Sequence, residues 1–130
     1  QGEKGKVNKE LIDCTDFLPT LCDVAGINRP TTPETDGKSF YPQLYGKKTE
    51  ARKWIYCWYA PRQVYDEKAT VFARDRKYKL YRTGEFYDIE NDFYEKSPIT
   101  KPNMTGKQKK IFKALQTVIN KYEDAAKKKK

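Results

Sequence analysis

The chain has 130 residues, of which 27 are Lys or Arg and 18 are Asp or Glu, giving a formal charge of +9, and it contains no histidine. The missing imidazole excludes every triad built on a His base and removes the commonest transition-metal ligand. No run approaches the roughly 18 apolar residues of a membrane span, while ten Tyr, six Phe and two Trp argue for packed structure over disorder.

The charge is unevenly spread. Residues 1–50 carry −1, residues 51–100 carry +2, and residues 101–130 carry +8. The excess marks a terminal helix and a basic tail at 127–130, a solvated end of the chain. Cys14, Cys22 and Cys57 leave at least one thiol unpaired and have no metal-type spacing; each is expected to be buried as a small apolar residue. The first residue is Gln and no secretory leader opens the chain. This fits a processed or excised piece of a longer protein.

In chain order, residues 1–10 are polar and residues 10–13 read as a short extended lead into a helix at about 16–25. Asp13, Thr15 or Asp16 can cap it with a side-chain oxygen, and Pro19 is tolerated in a first turn. Phe17, Leu18, Leu21, Val24 and Ala25 fall on one apolar stripe, as in a core helix, and Gly26 stands where a left-handed C-cap residue is wanted. Residues 28–45 hold Pro30, Pro33, Pro42 and Gly37 and read as an ordered loop without regular structure. Polar residues at 46–52 suggest a hinge between lobes.

Residues 54–59, Trp-Ile-Tyr-Cys-Trp-Tyr, are dense in strand formers and stop before Pro61. Residues 70–74 and 78–82 make two further strands around Asp75-Arg76-Lys77, and residues 85–88 make a fourth. Tyr78 and Leu80 alternate with Lys79 and Tyr81, so one face is buried and the other wetted. Residues 89–103 are irregular. Thr105-Gly-Lys-Gln108 then resembles a capping box. Ile111, Phe112, Leu115, Val118, Ile119 and Tyr122 follow it at helical spacing, a stripe that should lie across the sheet.

Asp16-Phe-Leu-Pro-Thr-Leu-Cys-Asp-Val-Ala-Gly26 and Asp36-Gly-Lys-Ser-Phe40 open a series of five ordered motifs. Arg52 with the 54–59 strand, Arg74-Asp-Arg-Lys-Tyr-Lys-Leu80 and Glu85-Phe-Tyr-Asp-Ile-Glu-Asn-Asp-Phe-Tyr-Glu95 complete it. The series resembles the C-terminal portion of the formylglycine-dependent sulfatases, relatives of alkaline phosphatase. The resemblance covers roughly residues 10–122. Phe93 stands where that family usually has Pro, and Ser97-Pro98-Ile99 stands where it often has Asn-Leu. The implied fold is α+β: a four-stranded antiparallel sheet covered by a C-terminal helix, preceded by a helix-loop remnant of the large α/β sulfatase domain. Residues 1–50 would end that large domain, residues 51–126 would form the small subdomain, and residues 127–130 the tail.

The resemblance also says what chemistry to expect. In these sulfatases the nucleophile lies in Cys/Ser-x-Pro-x-Arg and is converted to formylglycine, and a divalent cation of the calcium type helps hold the sulfate. In Cys57-Trp-Tyr-Ala-Pro-Arg62 the Pro lies four positions after the Cys instead of two, so no catalytic residue, metal ligand or cofactor is assigned to this chain. Asp88-Ile-Glu-Asn-Asp92 lacks the glycine and distal Glu of a calcium loop and reads as a capped turn. The family's small subdomain borders the substrate cleft, which makes Trp58, Tyr59 and Arg62 the substrate-contact candidates. The implied partners are the rest of the sulfatase chain and, through the parent, a sulfated small molecule or glycan. The implied location is periplasmic, secreted or otherwise outside the cytoplasm. The chain alone is expected to be inactive and, unless the stripe Phe17/Leu18/Leu21/Val24 folds back onto the 54–88 sheet, to pair with another copy through it or to be mobile there. The rival reading is a basic, aromatic-rich module for nucleic acid or another polyanion. No RNA-binding signature supports it, and the positive charge is confined to one end.

Overall fold

The computed structural model describes residues 4–5, 7–32, 35–47, 50–61 and 68–127. The chain divides into two units, Gln1–Lys53 and Trp54–Lys130.

In the first unit a 3-10 turn, Cys14–Asp16, leads directly into helix α1, Phe17–Ala25. Asp13 and Asp16 cap the turn reciprocally: the Thr15 amide donates to Asp13 Oδ1 at 3.2 Å and the Asp13 amide to Asp16 Oδ2 at 2.8 Å. The helix ends at Gly26, φ 67°, with the Ile27 amide on the Cys22 carbonyl at 3.0 Å, the left-handed stop expected of glycine. An antiparallel bridge joins Leu11 to Arg52.

Two expectations fail, on the cysteines and on the 28–45 segment. The stripe of α1 lies uncovered, as anticipated for a helix without its sheet: Phe17, Leu18, Leu21 and Val24 are each about half exposed, and Ala25 is exposed too. The buried residues are Asp16, Pro19, Thr20 and Cys22, because the following loop packs on the small and polar side of the helix. Cys14 is exposed and Cys57 half-buried, so only Cys22 is sequestered. The 28–45 segment is not free of regular structure, since Tyr41–Tyr45 winds into a 3-10 helix. Pro42 presets its φ, Gly46 closes it at φ 69°, and the Tyr41 and Tyr45 rings meet edge to face at 5.2 Å.

The second unit is a four-stranded antiparallel sheet in the order β1, β2, β3, β4, formed by Ile55–Tyr59, Thr70–Arg74, Tyr78–Tyr81 and Phe86–Asp88. Cys57 pairs with Phe72, which in turn pairs with Tyr81, while Ala73 pairs with Leu80, itself paired with Phe86. Asp75 Oδ1 tightens the β2–β3 connection by accepting from the amides of Lys77 and Tyr78 at 2.8 and 2.6 Å. Helix α2, Gly106–Lys127, starts at the anticipated box: the Gln108 amide donates to Thr105 Oγ1 and the Thr105 amide to Gln108 Oε1. It runs on through Lys127, the first position of the expected basic tail.

Leu115, Val118 and Ile119 of α2 share a core with Ala73, Tyr78, Leu80 and Phe86, while Ile111, Phe112 and Tyr122 pack on its margin. The Tyr78 and Phe86 rings stack at 5.2 Å, and Tyr122 stacks on Tyr56 at 4.2 Å. Alternation along each strand thus sends one set of side chains to the helix and leaves the other on the open face.

Candidate functional site

Trp58 and Tyr59 close strand β1, opposite Val71 and Thr70. They are 49% and 59% exposed. The period of two places Trp58 on the helix-facing side with Tyr56, and Tyr59 on the open side with Cys57. The two candidates are therefore neighbours in sequence but do not share a face, so each would touch a different part of any ligand lying across the strand end. Arg62, the third candidate, lies outside the described residues.

The open face holds a constellation that sequence reasoning passed over. Lys79 Nζ is 2.7 Å from Glu95 Oε1, the Tyr81 hydroxyl donates to Glu95 Oε2, and the same ammonium stands 4.2 Å from the Phe72 ring centre and 4.5 Å from that of Tyr81. Burial, then the Glu95 hydrogen bond, pushes the Tyr81 phenol upward. Burial alone would lower Lys79, but its bonds to Glu95 and Tyr81 outweigh it and hold the ammonium above its ordinary range. Tyr78 and Phe86 face the core, while Phe72, Tyr81 and Tyr87 stay on the open face, their rings in edge contact. Alternation alone places Lys79 and Tyr81 together; Glu95 was hidden by its conformation, φ 54° on a non-glycine residue.

A second missed cluster lies in the first unit. The Asp16 carboxylate, almost fully buried, accepts from Arg52 Nε at 2.9 Å, from Arg52 Nη2, from the Lys38 amide at 2.7 Å and from the Asp13 amide at 2.8 Å. Burial alone would raise its pKa, but Arg52 and the two amides outweigh burial and hold the group below the usual carboxylate range. Thr20 continues the join: its hydroxyl donates to the Asp16 carbonyl at 2.6 Å and accepts from the Phe40 amide at 3.1 Å. The Asp-Gly-Lys-Ser-Phe loop is thereby stitched onto α1 by the Asp and Thr of the helix motif. A cleft of about 250 Å³ beside this join is lined in part by Leu18, Pro19, Thr31 and Arg29, but Arg29 is turned onto Asp23 at 2.9 Å.

Asp16 has its lone pairs occupied by four donors and is held ionised, which suits a clasp and not a proton shuttle. Among the described residues no group of three or more His, Cys, Asp or Glu could hold a metal ion. Asp88 and Asp92 are spent on their own loop: Asp88 accepts from the Asn91 side chain at 2.9 Å, and Asp92 from the amides of Lys96 and Ser97 at 3.0 and 2.8 Å.

A family model described as N-sulphoglucosamine sulphohydrolase, C-terminal, matches residues 1–124. An ulvan-active sulfatase of Formosa agariphila is 31% identical over 105 residues, covering 79% of this chain and 19% of that protein. The structure of BT4656 in complex with its substrate D-glucosamine-2-N,6-O-disulfate superposes with a TM-score of 0.64 at 28% identity, covering 84% of this chain and 24% of that one. For BT1596, a 2-O GAG sulfatase, the TM-score is 0.60 at 29% identity, with 86% and 24% covered. The chain spans about a fifth of the length of the curated relative and about a quarter of the solved chains. The ordered motifs, the sheet backed by α2 and a match over nearly every residue lead to one conclusion: this chain belongs to the N-sulphoglucosamine sulphohydrolase C-terminal family and is a C-terminal portion of a sulfatase.

Proposed function

We propose that the chain serves a sulfuric ester hydrolase acting on a sulfated glycan, as scaffold and as one border of the substrate cleft. The rest of the sulfatase chain would supply the formylglycine nucleophile and the calcium-type cation. The observation that carries this reading is the family match over residues 1–124 of a chain lacking any Cys/Ser-x-Pro-x-Arg. The substrates named for the relatives support the glycan: ulvan for one, a disulfated glucosamine for another, a GAG for the third.

Within that reading Trp58, Tyr59 and Arg62 contact the part of the substrate that is not sulfate, the rings by packing on sugar and Arg62 by pairing with an anionic group. Two measurements test it. The 130-residue chain is assayed for sulfate release from an aryl sulfate, and none is expected; turnover would overturn the assignment of catalysis to the remainder of the protein. In the full-length sulfatase, Trp58→Ala and Tyr59→Ala should lower kcat/KM for a sulfated oligosaccharide about tenfold while leaving an aryl sulfate unaffected. Equal loss on both substrates would sink the cleft-border role.

A further inference from the structure

The loop between β4 and α2 carries two aromatic rings that neither the fold nor the reading above uses. Phe93 and Tyr94 are 79% and 78% exposed, and their rings meet edge to face with centres 5.3 Å apart. Apolar surface left in water on a structured segment marks a contact site, and this segment is pinned on both sides of the rings. Before them, the Asp92 amide donates to the Asp88 carbonyl at 2.8 Å, and the Asp92 carboxylate takes the Lys96 and Ser97 amides. After them, Glu95 is held in its left-handed conformation by Lys79 and Tyr81. The rings thus stand on a preorganised support, which lowers the ordering cost of binding. Beside them, the exposed Lys96 places its ammonium 5.7 Å from the Tyr94 ring centre.

We propose that Phe93, Tyr94 and Lys96 form a binding spot for a sulfated saccharide, separate from Trp58 and Tyr59. The C–H face of a pyranose is weakly electropositive and packs on the negative face of an aromatic ring. The Lys96 ammonium, over the Tyr94 ring at 5.7 Å from its centre, supplies the counter-charge for a sulfate and leaves Phe93 to take the sugar face. An apolar peptide partner would use the rings and have no need of Lys96. The choice of a sulfated sugar rests on the reading of the parent as a glycan sulfatase; the location of the site does not.

The test is a titration of the 130-residue chain with a heparin tetrasaccharide, followed by calorimetry and by amide NMR shifts, with maltotetraose as the neutral control. The expected result is heparin binding with shifts centred on residues 92–97, weakened about tenfold in the Phe93→Ala/Tyr94→Ala variant. Lys96→Gln should weaken it several-fold, and maltotetraose should bind more weakly than heparin. The melting temperature should not move, since the rings are exposed. Three results would overturn the proposal: no heparin binding, heparin binding indifferent to the ring variant and abolished by removing residues 127–130, or a ring-dependent change in sedimentation without saccharide binding. The last would make the pair a protein contact. Sulfate release by this chain alone would overturn the proposed function and leave this titration standing, whereas a blank titration does the reverse.

Discussion

Arg52 and Asp16 form a buried ion pair in the first unit, with only 5% and 3% of their side chains exposed. Coulomb attraction does not make such a pair stabilising in itself, because both charges had to leave water. Its weight lies in what it organises. Arg52 Nη2 also reaches the Asp36 carbonyl at 3.2 Å, and Asp16 receives the Lys38 amide, so the pair clamps both sides of Gly37. Removing one partner strands the other as a buried charge. Asp16→Ala or Arg52→Ala should each cost about 3–5 kcal/mol. Replacing both with Leu and Met should cost less than the sum of the singles. Hydrogen exchange at the Lys38 and Phe40 amides reads this out; amides that stay protected in the single variants would refute the clamp.

The same pair sets an acid limit. The Asp16 carboxyl is held below its ordinary value in the folded chain, so the unfolded state binds its proton first as pH falls. The stabilisation is complete above the unfolded value of about 3.9 and is lost as pH drops through the lower folded value. Amide protection in the Lys38–Phe40 segment should therefore be flat near neutrality and collapse in acid. The Asp16→Asn variant should lack that acid step. An unchanged profile would show that other carboxylates govern it.

Gly37 is required for a steric reason. A Cβ built on it would lie 2.1 Å from the Thr15 carbonyl oxygen and 3.1 Å from the Pro19 ring, so the loop approaches the backbone of the 3-10 turn more closely than any side chain allows. Gly37→Ala should destabilise the first unit by about 1–3 kcal/mol through overpacking. Gly106, where an added methyl group would stand in open space, is the control. Gly106→Ala at the start of α2 should stabilise by about 0.4–1 kcal/mol. Chemical denaturation with far-ultraviolet dichroism separates the two signs.

What could be read in advance follows the range of the interactions. Helix α2 was legible because its cap and its stripe are local: Thr105 and Gln108 are three residues apart, and Leu115, Val118 and Ile119 repeat at the helical period. Asp16 was legible only as a capping residue, since its decisive partners lie 22 and 36 residues away at Lys38 and Arg52. The stripe of α1 illustrates a different limit. Periodicity marks which side of a helix is apolar and is silent on what covers it: Leu21 and Val24 lie on that side and are exposed. At the candidate site, strand chemistry located Trp58 and Tyr59 at the end of β1, and the period of two already implied their opposite faces. The Phe93–Tyr94 pair was visible in the sequence only as a departure from a motif, because its exposure depends on how Asp88 and Asp92 fold the loop.

The open face of the sheet should fail at the alkaline end. Tyr81 is shifted upward by burial and by Glu95, and Lys79, against its burial, is shifted upward by Glu95 and Tyr81. For a lysine raised in the fold, stabilisation is complete below the unfolded value of about 10.4 and fades as pH rises through the folded value. For a tyrosine raised in the fold, the neutral phenol is the favoured form, so ionisation above about pH 10 weakens the fold in the same direction. The second unit should then lose stability above about pH 10 with no matching change in acid from this pair of groups. Glu95→Gln removes the charge that holds both partners and should cost about 1.5–3 kcal/mol at neutral pH, while bringing the Tyr81 titration back toward that of an ordinary tyrosine. Tyr81 ring NMR shifts across roughly pH 9–12 measure this. A Tyr81 that titrates identically in the variant would mean that burial, and not Glu95, sets its proton affinity.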